Sequence, residues 1–271
     1  MTLDNEQIER YSRQILLREV GGKGQEKLLA SRVLLVGAGG LGSPAALYLA
    51  AAGVGTLGLI DGDRVDRTNL QRQIAHFTPD IGTPKVESAA AKLAALNPGV
   101  KIETYTEHAT ADNILEIAGR YDFVIDGTDN FSAKFLINDA CYFAERPFSH
   151  AGILRFDGQL LTVLPGRTAC YRCLFGGPPP AGAVPSCSQA GVLGSMAGVI
   201  GCLQATEALK CLLGAGELLT DRMLIFEALA LRFREVKLRR NPRCPLCGEN
   251  PTITTLVEAD PVVCDLREAR R

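Results

Sequence analysis

The stretch Val36-Gly-Ala-Gly-Gly-Leu-Gly42 constrains this chain more than any other. It follows the apolar run from Arg32 to Leu35 and precedes an alanine-rich segment, after which "TLGLID" extends from Thr56 to Asp61. A strand, a glycine turn, a helix and a second strand form a βαβ unit, which closes only into a parallel sheet with the helix packed on one face. Gly37 permits the tight turn, Gly39 lets the backbone approach phosphate, and Gly42 lets the helix lie close to the strand. The helix N-terminus then favours anionic oxygen. Asp61, at the end of the second strand, is placed to accept from ribose hydroxyls. An adenine nucleotide is the ligand this unit predicts.

The alternation continues. "TPKVESAAAKLAALNPG" predicts a helix that stops at Asn97-Pro98-Gly99, "KIETYTE" a strand, "DNILEIAGR" a helix and "YDFVIDGTDN" a further strand. The fold class expected is α/β: a Rossmann-like, mostly parallel sheet with helices on both faces. After Pro147 the pattern changes, and "SHAGILRFDGQLLTVLPG" predicts a hairpin turning at Asp157-Gly158. Glycines and prolines between Cys170 and Gln189 predict an irregular crossover. An apolar helix over 190–214 and two strand-like runs, "RMLIFEAL" and "LRFREVKL", complete an antiparallel C-terminal part.

With 46% hydrophobic and 22% charged residues, the 271-residue chain can bury a substantial core and suits a single domain. Its net charge of -1 supplies no basic field, so nucleic acid is not expected as a main ligand. The polar, acidic N-terminus lacks the apolar run of a secretory signal, and a cytoplasmic location is expected. In that reducing compartment the nine cysteines read as metal ligands, reactive thiols or core residues. Gln204, Glu207 and Lys210 interrupt the apolar helix, so it is expected to be buried in the protein and not in a membrane.

Beyond Asp61 and Asp63, the run "RTNLQRQ" brings Asn69, Arg72 and Gln73, and Lys85 opens the next helix. Two cations and two amides near a phosphate loop suit a triphosphate, although any single Arg or Lys can be an ordinary solvated cation. Asp126 and Asp129 of "DGTDN" end a strand facing the same crevice, where carboxylates can hold magnesium and where Asn130 is a further candidate for the nucleotide; Asp129 could equally cap the helix "NFSAKFLIND" that it precedes. Cys170-x-x-Cys173 and Cys244-x-x-Cys247 supply the four thiolates of a closed tetrahedral zinc site. Cys187 is a lone loop thiol, a nucleophile only if its pKa is lowered. Cys141, Cys202 and Cys211 read as core, and His76, His108 and His150 have no partner at ligand spacing.

Taken together, "RYSRQ" at 10–14, "VGAGGLG", "DGD" at 61–63, "TNLQRQ", "GTPK", "DGTDN" and the two cysteine knuckles resemble the ubiquitin-activating-enzyme superfamily, and within it the bacterial adenylyltransferases that activate small sulfur carriers for molybdopterin and thiamine biosynthesis. The resemblance implies ATP held by the glycine loop around Gly40, ribose on Asp61, and phosphates on Asn69, Arg72 and Lys85. It implies that Asp129 supports magnesium and adenylation, and that Arg13 reaches the phosphates of a neighbouring subunit in a homodimer. Cys187 matches the active-site cysteine of thioester-forming members.

The implied partner is a ubiquitin-like sulfur carrier with a C-terminal Gly-Gly. Its carboxylate would be activated as an acyl-adenylate, with the molybdopterin type preferred over the thiamine type. Larger relatives carry a rhodanese domain after the knuckles; the segment after Cys247 is too short for one, so a separate sulfur donor, a cysteine desulfurase or rhodanese, is expected. Four parts are expected: a helical arm over about 1–30, a nucleotide-binding half over 31–146, a carrier-binding and zinc-containing half over 147–250, and a tail over 251–271. Two other classes stay open. An NAD-dependent dehydrogenase explains the loop and Asp61 but not "TNLQRQ", "GTPK" or the knuckles, and a non-catalytic scaffold does not explain Arg13, Arg72, Lys85 and Asp129 together.

Overall fold

A computed structural model describes residues 2–179 and 190–257. Three N-terminal helices, α1 (Asn5–Arg10), α2 (Ser12–Ile15) and α3 (Gly21–Ala30), lead into β1 (Arg32–Val36), α4 (Gly42–Ala51) and β2 (Thr56–Ile60). Then follow α5 (Lys85–Leu96), β3 (Lys101–Tyr105), α6 (Ile114–Gly119), β4 (Phe123–Asp126) and α7 (Phe131–Phe143). The chain continues through β5 (Phe148–Leu154), β6 (Asp157–Val163), α8 (Tyr171–Phe175), a long helix (Gly194–Leu213), β7 (Arg222–Glu227) and β8 (Arg232–Lys237).

All eight strands form one sheet in the order β3-β2-β1-β4-β5-β6-β7-β8. The first five run parallel and the last three are antiparallel. The predicted architecture is therefore present, with both halves sharing a single sheet. β5 pairs in parallel with β4, so the parallel part extends past Pro147.

Alternate residues of β1 serve opposite faces. Leu34 and Val36 join a core with Ile117, Tyr121, Phe135 and Tyr171, while Val33 and Leu35 join one with Leu49, Val86, Leu93, Ala205 and Ala208. This period of two makes the central strands read as continuous apolar runs, because both faces are buried. The long helix has the length and composition of a membrane span. Here it packs on α4, β4, β5 and β6 as a core helix, with Gln204 and Glu207 buried and hydrogen-bonded inside the protein.

Two local features place the site. Gly37 adopts φ +97°, and a Cβ on Gly42 would lie 1.9 Å from the Gly37 carbonyl oxygen, so the glycine turn holds α4 against β1 as its sequence predicts. The hairpin differs from expectation. Leu154 pairs with Asp157, which makes Arg155-Phe156 the turn and puts Asp157 and Gly158 inside β6. Gly158 is in the strand because Ile200 lies over it, where a Cβ would come within 2.6 Å of Ile200 Cδ1. Arg155 takes up the positive φ that the turn requires.

Candidate active site

The sheet order reverses between β1 and β4, and the crevice at such a reversal is where open α/β sheets bind ligands. A cleft of about 540 Å³ opens there. Gly37, Gly39 and Gly40 form one wall, and Asp61, Asp63, Arg72, Gln73 and Lys85 line the side beyond β2. Asp129 and Asn130 close the end beyond β4. Four segments that are separate in the sequence thus meet at one cleft.

Each segment is locally fixed. Asp61 is mostly buried, and its carboxylate accepts from the Ala38 N–H (2.9 Å) and the Asp63 N–H (2.8 Å), which ties the glycine loop to the end of β2. Lys85 heads α5 with its chain buried, and its Nζ lies 2.6 Å from Asp63 Oδ2 and 3.9 Å from Asp61 Oδ2. Arg72 donates to the Thr68 carbonyl at 3.1 Å. Gln73 is buried with Oε1 unpaired and lies against Gly39. A buried amide oxygen without a donor is costly, and a ligand hydroxyl or water in the cleft would satisfy it.

Two expected residues stand elsewhere. Asn69 does not line the cleft; its side-chain oxygen accepts from the Asp66 N–H in a capping pair one turn before Arg72. Arg13 is exposed on α2 and does not line the cleft of its own chain. Cys187 lies outside the described residues.

The acidic pair of "DGTDN" separates into two roles. Asp126 does not face the crevice and is no magnesium ligand, because it is fully buried. Its carboxylate sits 3.3 Å from Lys134 Nζ and 2.6 Å from His150 Nδ1, and accepts from the Thr128 N–H and hydroxyl. Burial pushes the Asp126 carboxyl up, but Lys134, His150 and Thr128 together outweigh it and hold the group well below the usual carboxylate range. The helix cap is Asn130, which accepts from the Ala133 N–H at 2.8 Å. Asp129 is thereby left exposed at the cleft, as Asp63 is on its other side.

No motif marks Lys134, and His150 has no partner at ligand spacing. The ring of His150 brings Nδ1 to Asp126, and Tyr171 packs on it with centroids 3.9 Å apart. His108, Ala109 and Thr110, just past β3, also line the cleft. They follow a strand end, which is the one signal that could have marked them.

Burial holds both His76 and His150 below their ordinary pKa, so each is neutral when folded. The unfolded chain takes up these protons first as the pH drops below about 6.5. Unfolding free energy measured in urea is therefore expected to be lower at pH 5.5 than at pH 7.5, by up to about 1.4 kcal/mol for each ring. An unchanged value would mean the two rings are charged or exposed.

The knuckles meet on the α6–α7–α8 face. The four sulfurs of Cys170, Cys173, Cys244 and Cys247 lie within 4.8 Å of one another. Cys170 Sγ is 3.8, 3.6 and 3.4 Å from those of Cys173, Cys244 and Cys247. These spacings exceed a disulfide and approach the roughly 3.8 Å edge of a tetrahedron with metal–sulfur bonds of about 2.3 Å. The cluster could hold a tetrahedral metal ion that fastens α8 to the segment after β8.

Residues 11–246 match the ThiF family. The chain belongs to that family. The SAMP-activating enzyme E1 of Haloferax volcanii is 49% identical over 92% of each chain. The sulfur carrier protein adenylyltransferase of Thermus thermophilus is 47% identical over 98% of this chain and all of that one. The adenylyltransferase and sulfurtransferase MOCS3 of Bos taurus is 50% identical over 94% of this chain, which spans 56% of it. This ThiF-family chain is accordingly an enzyme of the nucleotidyltransferase class. Among solved structures, Escherichia coli MccB with MccA-N7isoASN superposes with a TM-score of 0.79 over 90% of this chain and 76% of that one at 23% identity, a likeness of fold. PaaA superposes with a TM-score of 0.72 over 89% and 76%, at 29% identity.

Proposed function

We propose that this ThiF-family enzyme is one adenylation domain that uses ATP to activate the C-terminal glycine carboxylate of a ubiquitin-like sulfur carrier, for molybdopterin biosynthesis in preference to thiamine biosynthesis. One observation carries the reading: the glycine loop, Arg72, Lys85 and Asp129 converge on one cleft at the sheet's point of reversal. The names of the Thermus and Haloferax relatives support the substrate class.

The chemistry needs little from the protein beyond placement. A C-terminal carboxylate is already ionised near pH 7, so no general base is required. It attacks the α-phosphorus, the bond to the bridging oxygen breaks, and pyrophosphate leaves, which yields a carrier acyl-adenylate. Arg72 and Lys85 offset charge on the phosphates, and the glycine-loop N–H groups and the α4 N-terminus hold their oxygens. Asp129 is the residue that would hold magnesium, whose charge would further neutralise the phosphates. Arg13 supports a homodimer, in which it would act on the partner's cleft. A separate donor of the cysteine-desulfurase or rhodanese type would then supply sulfur, in the cytoplasm.

Mixing the enzyme with ATP, magnesium and either a molybdopterin-type or a thiamine-type carrier should give ATP–pyrophosphate exchange with the former. Exchange with the thiamine-type carrier alone would reverse the preference, and exchange with neither would refute the substrate class. Zinc is the metal proposed for the four thiolates. Chelation of the purified protein should release about one zinc per chain and lower the unfolding midpoint, and Cys244→Ser should mimic that loss; a metal-free protein of unchanged stability would exclude it.

A further inference from the structure

His76 is absent from the chemistry above, yet it sits where three phosphate-facing segments meet. It is buried, at 3% exposure, three residues after Gln73. Its Nε2 lies 2.9 Å from the carbonyl oxygen of Ala38 in the glycine loop. Its Nδ1 lies 2.9 Å from the hydroxyl of Ser88, on the helix that Lys85 opens. Ser88 Oγ is 3.0 Å from Asp80 Oδ2, and Asp80 in turn accepts from the Phe77 N–H at 2.6 Å and pairs with Lys92.

The Ala38 residue is thus held from both sides, its N–H by Asp61 and its carbonyl by His76. Because a carbonyl can only accept, Nε2 must carry the hydrogen. In a neutral ring Nδ1 is then the acceptor and takes the single Ser88 hydroxyl hydrogen, so Asp80 is joined to Ser88 through Lys92, whose Nζ donates to both. No charge is required at the ring.

We infer that His76, braced by Ser88 and Asp80, is a positioning residue that sets the spacing between the glycine loop, the Arg72–Gln73 segment and Lys85, and so fixes affinity for the ATP triphosphate. The inference rests on the adenylation reading. It adds a clasp whose loss loosens the cradle without touching the carrier. Gln can keep the Nε2 donor, whereas Leu fills the space and removes both hydrogen bonds.

The test is steady-state ATP–pyrophosphate exchange with saturating carrier. His76→Leu should raise KM for ATP about tenfold while KM for the carrier stays within about twofold, and His76→Gln should restore KM for ATP to within about threefold of the parent. Should His76→Leu fail to fold, Ser88→Ala is expected to raise KM for ATP about threefold by freeing Nδ1. The chain has three histidines, so nitrogen-15 NMR can assign each ring, and His76 should show the Nε2–H tautomer. An Nδ1–H tautomer, or variants whose KM for ATP equals the parent's, would overturn the inference. If the unaltered enzyme itself shows no ATP-dependent exchange, the adenylation reading fails and not the clasp.

Discussion

Asp129→Ala should lower carrier-dependent pyrophosphate exchange by about 10²–10³-fold, the usual effect of deleting one group that stabilises charge in a transition state. The unfolding free energy should stay within about 0.5 kcal/mol of the parent's, as for exposed positions with no structural duty. Both halves follow from placement. Asp129 lies exposed at the cleft, and the cap of α7 is made by its neighbour Asn130. The measurement pairs exchange kinetics with urea unfolding on the same preparation. A variant that loses stability in step with activity would make Asp129 a structural residue.

Three residues earlier, the same acid has the opposite duty. Asp126→Asn should cost about 3–5 kcal/mol of stability, because it removes the counter-charge of a lysine that stays buried. Lys134 is 6% exposed, and it also donates to the Ala151 carbonyl at 2.6 Å. The carboxylate also holds Thr128, so the turn that leads to Asp129 loosens with it. Since the Asp126 pKa is depressed in the fold, its contribution is present above the ordinary aspartate value of about 3.9 and is lost as the pH falls below it. Acid unfolding of the parent should therefore steepen below about pH 4, and that component should be missing in Asp126→Asn. Equal stability of the two proteins at pH 7 would contradict the buried pair.

The contrast shows what a sequence can and cannot disclose here. The glycine loop, Asp61, Lys85 and the two cysteine knuckles were legible because their chemistry depends on local spacing: a turn before a helix, a strand end, a helix start, paired thiols. The mostly parallel class of the sheet was legible too, since strands alternating with helices pair in parallel, whereas the strand order came only with the structure. The roles of Asp126 and Asp129 were not, because burial depends on α7 and β5 packing over the end of β4, and nothing in "DGTDN" encodes that. His76 and His150 escaped notice for the same reason: their partners, Ala38, Ser88 and Asp126, lie 38, 12 and 24 positions away. The hairpin shifted by two residues because the long helix, far along the chain, covers Gly158 and keeps it in the strand.

The proposed reaction at this cleft joins AMP to a carrier's C-terminal glycine. Intact-protein mass spectrometry of a Gly-Gly-ended sulfur carrier, quenched in acid after mixing with the enzyme, ATP and magnesium, tests it directly. The carrier should gain the mass of one adenylyl group on its last residue, and a carrier without the terminal glycine should gain nothing. Adenylylation of the truncated carrier, or an unmodified carrier under conditions where ATP is consumed, would contradict the account.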